Sequence, residues 1–305
     1  MIVLMNDILE VLKQLLSVKD IQLSCDILRI FYIIASKNEE SAQQIINNEI
    51  VPTLKAFIRC NNKVAQRRAS LVAYNIAIGP PDHIEHLFSH GIVNSIIRQL
   101  SDDQFLIRYS DSASRYLDVI LAISHRSMAF AKRLMLEEDQ LIQIVSISAN
   151  EIKDWHAKVI ALNILKNLLI VGERMFIRRE RRRILQHQRG SGDDQTISER
   201  DSCVTGAFFN EEVSSLQRWD TSEEGIVGGW EEDEDYFMIG KINNDEQGDS
   251  NKVANIMKEC CGFDIVTDLL LHENNEVLHV AMFIISRFFD DANGSGESSK
   301  DKMQE

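Results

Sequence analysis

The strongest constraint on this chain is a helix start that recurs at nearly constant spacing. Asp7-Ile8-Leu9, Ile50-Val51-Pro52, Ile92-Val93-Asn94 and Leu141-Ile142-Gln143 follow one another at intervals of 43, 42 and 49 residues. A fifth start, Phe263-Asp264-Ile265-Val266, comes 122 residues after the fourth. Each unit repeats one order: an apolar helix, a polar turn, a longer helix containing a small residue, then a short helix. The small residues are Ala35-Ser36 after Ile34 in the first unit and Ala77 after Ile76 in the second. Within residues 1–175 the apolar period is close to 3.6, as in Val159, Ile160, Leu162, Ile164, Leu165, Leu168 and Leu169. Pro52, Gly79-Pro80-Pro81, Gly91 and Gly172 stand where helices are expected to end.

A period in the low forties built from helices alone belongs to the armadillo and HEAT class. Each unit is too thin to bury its own apolar face and must stack on its neighbours. The expected fold is all-α, an armadillo-repeat right-handed solenoid of about five repeats with a long disordered acidic insertion. Four repeats occupy 1–175 and a last one 251–290, followed by a polar tail, 291–305. Between them, 176–250 reads as an insertion, first basic and then acidic. Arg174 to Arg189 holds seven Arg and one Glu, and the fourth long helix is expected to end just before it, near Gly172-Glu173.

Charge separates the insertion from the rest. The net charge is −14, and residues 190–250 hold 17 Asp/Glu against 3 Lys/Arg. The remainder carries 47−17 = 30 acids and 33−3 = 30 bases, so its balance is zero. Such an acidic, Gly- and Ser-rich segment cannot bury enough apolar surface to offset its ordering entropy. Five scattered cysteines without a CxxC pattern suit reduced thiols. No apolar run reaches the roughly 20 residues that span a bilayer.

Several segments look like one family. Glu259-Cys260-Cys261-Gly262-Phe263-Asp264-Ile265, with His272-Glu273-Asn274-Asn275-Glu276-Val277 and Ala281, resembles the last armadillo repeat of importin-α. Asn167-Leu168-Leu169-Ile170-Val171-Gly172-Glu173 is similar to the repeat before it, and Ala69 to Gly79 to one two repeats earlier. The resemblance covers about two-thirds of the chain and implies the family's sixth to tenth repeats. In that family a ladder of Trp and Asn grips an extended basic peptide, since amides satisfy a strand's backbone and indole faces attract cations. Carried over, the ladder is incomplete. Asn75 and Asn167 keep the amide, Leu71 and Tyr116 stand at Trp positions, Ile120 replaces an Asn, and Arg29 with Ile33 forms the first pair. The family's export receptor, implied as a partner of the last repeat, would meet Glu259, His272, Glu273 and Asn274.

Other residues carry two readings each. Asn75 is a peptide clamp or a packing amide, and Tyr116 a cation-binding ring or a half-buried structural one. Arg174 to Arg189 is a nuclear-localisation-like ligand or a solvated helical extension striped by Phe176, Ile177, Ile184 and Leu185. It is also expected to pair with the acidic segment. Glu231 to Phe237, with Trp219 and Trp230 nearby, is a linear motif or a solvated spacer, and Trp155 reads as an inter-repeat packing anchor. Cys260-Cys261 and the trio His83, His86 and His90 lack a complete metal-ligand set.

No G-x-S-x-G, P-loop or H-E-x-x-H occurs, and Gly228-Gly229 precedes no helix. The expected function is therefore binding without catalysis or cofactor. The resemblance implies an importin-α-like adaptor in nucleocytoplasmic transport that binds basic nuclear-localisation-signal peptides, in cytoplasm and nucleus. Importin-β is not expected to engage this chain alone, and neither nucleic acid nor membrane is an expected partner. The alternative is an armadillo scaffold with a vestigial cargo groove. A truncated form of a longer parent is a third expectation, with Ile2, Val3, Leu4 and Met5 as an exposed apolar edge.

Overall fold

A computed structural model describes residues 2–18, 20–137, 140–190 and 251–289. Two compact units divide the chain, one of residues 1–176 with 243–305 and one of residues 177–242. The first is a stack of three-helix repeats. Five of its helices mark the recurring starts: α1 (Ile2–Leu15), α4 (Val51–Ile58), α7 (Ile92–Leu100), α11 (Leu141–Glu151) and α14 (Gly262–Asp268). Each leads into a longer helix: α2 (Ile21–Ala35), α5 (Lys63–Ala77), α9 (Ser110–Arg126), α12 (Trp155–Gly190) and α15 (Asn275–Phe288). Short helices close the first three units, α3 (Glu39–Asn47), α6 (Pro81–Ser89) and α10 (Met128–Glu137), and a further one, α13 (Lys252–Glu259), opens the last repeat ahead of α14. The described part of the second unit, residues 177–190, is helix, the distal end of α12.

Local chemistry sets these boundaries. Asp20 accepts from Gln22 N and Leu23 N ahead of α2, Asn38 from Ser41 N ahead of α3, and Asn62 from Ala65 N ahead of α5. Such caps satisfy donors a helix leaves unpaired and stabilise by about 1 kcal/mol each. The turn from short to apolar helix uses a left-handed residue at the same place in three repeats: Glu49 (φ 53°), Gly91 (φ 68°) and Cys261 (φ 61°). Glycine adopts that region freely, whereas Glu49 and Cys261 carry a Cβ against the following carbonyl.

One core runs through the first unit. Leu28 and Phe31 of α2, Val72 and Ile76 of α5, and Leu117, Ile120 and Ile123 of α9 are buried, and α5 packs between α2 and α9. Ile120, at an Asn position of the resembled family, is thus a core residue here.

Three expectations change. The 49-residue interval contains an extra helix, α8 (Asp103–Arg108), capped by Asp102 and separated from α9 by Tyr109. Its six residues account for most of the 49−42 = 7 by which this interval exceeds the one before. The fourth long helix does not end near Gly172, because α12 continues to Gly190. Gly172 lies buried inside it, where Asn251 and Val253 of the last repeat approach too closely for a Cβ. Arg174 to Arg189 accordingly lies within a helix. Trp155 is 41% exposed, with its ring edge-on to His156, and is not a packed anchor.

The readings placed on Trp219, Gly228-Gly229, Trp230, Glu231 to Phe237 and the polar tail lie outside the described residues. So do those on the side chains of Ile2 to Met5, Ile184 and Leu185. Ile8, Val11 and Leu15 of α1 are exposed. No helix among the described residues is long and apolar enough to cross a membrane.

Candidate functional site: a basic cavity on the long helices

Two amides expected to grip a ligand make hydrogen bonds from one repeat to the next. Asn75 is 8% exposed and its Nδ2 donates to the Tyr32 carbonyl at 3.4 Å. Asn167 is 5% exposed and its Nδ2 donates to Ser124 Oγ at 3.2 Å. Both bonds span 43 residues, one repeat period. Each links a long helix to the long helix before it, so the amide fills the same geometric role at two joints of the stack.

Tyr116 departs further from expectation. It is fully buried, its hydroxyl donates to the Ile58 carbonyl at 2.6 Å, and Phe105 stacks on its ring at 5.4 Å between centroids. Burial pushes its phenol pKa far above the usual value. A ring enclosed in this way offers no face to a cation, so its place is structural.

The remaining candidate, Leu71, lines a cavity of about 410 Å³. Arg29 and Tyr32 of α2 form one wall, and Lys63, Val64, Arg67, Arg68 and Leu71 of α5 the floor. Arg108, Tyr109 and Asp111, at the α8–α9 junction, also line it, and it stays open to solvent. Lys63, Arg67 and Leu71 recur every four residues and share one stripe of α5. The break at Tyr109 (φ −126°, ψ 38°) turns α8 away from α9 and places Arg108 at the rim.

This cavity is strongly cationic. Five of its lining side chains carry positive charge and one, Asp111, carries negative charge. Arg68 pairs with Asp26 at 3.2 Å, and Lys63 Nζ lies 5.2 Å from the centre of the Tyr109 ring. Arg29, Arg67 and Arg108 form no ion pair among the described residues. Apolar surface lies beside these charges, with Val64 50% exposed. The resemblance put Arg29 at a ligand-facing position. It did not show that residues from three repeats, 29, 63, 67 and 108, converge.

In the last repeat, Asn274 Oδ1 caps α15 by accepting from Glu276 N and Val277 N, and His272 Nδ1 accepts from Asn274 N at 3.1 Å. Those two residues therefore shape the turn. Glu259 and Glu273 are exposed. Among the described residues no group of three or more His, Cys, Asp or Glu is placed to hold a metal ion. His83 is buried, its Nε2 lies 2.8 Å from Gln43 Oε1, and burial lowers its pKa.

Comparison with known proteins gives the architecture its class. Residues 251–302 match a family model described as an atypical armadillo repeat. No curated protein sequence matches the chain significantly. Among solved structures, the chain is similar to an engineered protein at a TM-score of 0.52 and 15% identity, over 92% of this chain and 98% of that one. It is also similar to a designed armadillo repeat protein at a TM-score of 0.51 and 15% identity, over 91% and 98% of the two chains. Identity this low speaks to the fold alone. With the repeat period, the order of helices and the match in the last repeat, it makes this chain an armadillo-repeat solenoid.

Proposed function

We propose that this chain is a non-catalytic adaptor that binds other proteins on the face formed by α2, α5 and the start of α9. The observation that carries this reading is the cavity there, where Arg29, Arg67 and Arg108, without ion pairs among the described residues, stand with half-exposed Val64. A stack of short repeats maintains such a face at low cost because each repeat contacts only its neighbours. A photo-crosslinking residue at Val64 should capture a partner that the same residue at exposed Ala56 of α4 does not. Equal capture from both positions, or none from Val64, would refute the assignment of this face.

A second reading is an importin-α-like transport adaptor moving between cytoplasm and nucleus. The residue pattern from Glu259 to Ala281 supports it, within the stretch that matches an atypical armadillo repeat. Exposed Glu259 and Glu273 are its best candidates for contact with an export receptor. Its cargo arm requires a Lys/Arg-rich peptide to bind with micromolar or tighter affinity and to be lost in Asn75→Ala. Five cations in the cavity oppose such a ligand, so on electrostatic grounds the scaffold reading is favoured for this face.

A further inference from the structure

We infer that the cavity between α2, α5 and α9 selects an acidic, extended peptide segment of a partner protein, with an apolar side chain set between its carboxylates. This inference rests on the reading of that face as a docking surface and adds the chemistry of its ligand.

Charge complementarity is the first argument. The lining side chains sum to five positive charges less one, or +4, although the chain outside 190–250 balances to zero. The cavity is therefore a local excess of positive charge, apart from the basic stretch Arg174 to Arg189 of α12. Lys63 and Arg67 stand four residues apart on α5, and like charges at that spacing repel and destabilise a helix. Incoming carboxylates relieve that repulsion and give Arg29, Arg67 and Arg108 bidentate partners.

Shape and apolar surface narrow the ligand further. A cavity of about 410 Å³ receives a few side chains rather than a folded surface. Val64 and Leu71 line it, and Tyr32 and Tyr109 flank the cationic stripe. A ligand carrying only charge would leave that apolar surface wet, whereas an aliphatic or aromatic residue between acidic ones covers it. Nucleic acid fits less well. It needs cations that track a backbone over several nucleotides, and here the cations surround one cavity that also holds the Asp111 carboxylate.

The test is fluorescence anisotropy on the full chain with three labelled probes: a Glu/Asp peptide carrying a central Leu and Tyr, a Lys/Arg peptide of equal length, and a single-stranded oligonucleotide. The acidic peptide should bind and the basic one should not. The double variant Arg29→Glu/Arg67→Glu should weaken acidic binding by about tenfold or more. Lys37→Glu/Arg98→Glu makes the same change in net charge at exposed sites outside the cavity and should leave affinity within about twofold. Absence of acidic binding, an equal loss in the two double variants, or preference for the oligonucleotide overturns the inference. If acidic binding is absent while Val64 still crosslinks a partner, only the ligand class fails. If both are absent, the docking surface fails with it.

Discussion

Replacing Gly172 with alanine sets two opposing effects against each other, and the structure fixes the sign. Alanine inside a helix is favoured over glycine by about 1 kcal/mol. The new methyl, however, would lie 2.7 Å from Val253 Cγ2 and 3.1 Å from Val253 Cβ, and would overlap Asn251 Oδ1. That oxygen caps α13 by accepting from Val253 N at 3.0 Å, and the same side chain donates to the Leu169 carbonyl at 2.9 Å. Losing the cap costs about 1 kcal/mol and losing the bond to Leu169 about 1 kcal/mol more. Displacing buried Val253 costs about 1–3 kcal/mol. The sum less the helix gain is a net destabilisation of roughly 2–4 kcal/mol, focused on the joint between the fourth and fifth repeats. Urea unfolding followed by circular dichroism, with hydrogen exchange resolved by segment, reads both size and place. Residues 252–289 should lose protection first while α2 and α5 keep theirs. A Gly172→Ala chain as stable as wild type would refute the close approach, and with it the direct stacking of the fifth repeat on α12.

Three further outcomes follow from individual residues. Asn167→Ala removes the bond to Ser124 and should cost about 1–2 kcal/mol, with a double-mutant cycle against Ser124→Ala giving a coupling of about 1 kcal/mol. Cys261→Gly removes a Cβ from a left-handed turn and should stabilise by about 1 kcal/mol, as a rise in urea midpoint at constant slope. His83 is buried, its Nδ1 has no hydrogen-bond partner among the described residues, and desolvation lowers its pKa from the ordinary 6.5. The unfolded chain therefore binds more protons than the folded one as pH falls through 6.5, so acidification should destabilise wild type. Denaturant titrations across that range should show a smaller loss in His83→Gln.

The repeat was legible because stacking imposes it: every unit must present the same apolar stripe to the next, and the stripe is written in sequence at 3.6 residues. Caps such as Asp20, Asn38 and Asn62 are local as well, each accepting from backbone N–H groups two or three residues on. Features set by distant neighbours were not legible. Gly172 looks like a helix terminator until residues 251–253 are seen against it, 82 positions from Leu169 along the bond that Asn251 makes. Tyr116 occupies a ligand-facing position of the resembled family, yet the extra helix α8 brings Phe105 onto its ring and encloses it. The basic cavity was hidden twice, once because its cations come from three repeats and once because opposite charges elsewhere cancel them in any sum. A cation at the first ladder position, Arg29, was its one local sign.

The central claim is that this solenoid docks an acidic segment at the cavity between α2, α5 and α9. Hydrogen–deuterium exchange on the full chain, with and without saturating acidic peptide, locates the docked segment directly. The account predicts slowed exchange in the segments that carry Arg29, Lys63 to Leu71 and Arg108 to Ser112, and none in 251–289. Protection centred on the last repeat, or none along α5, would contradict it.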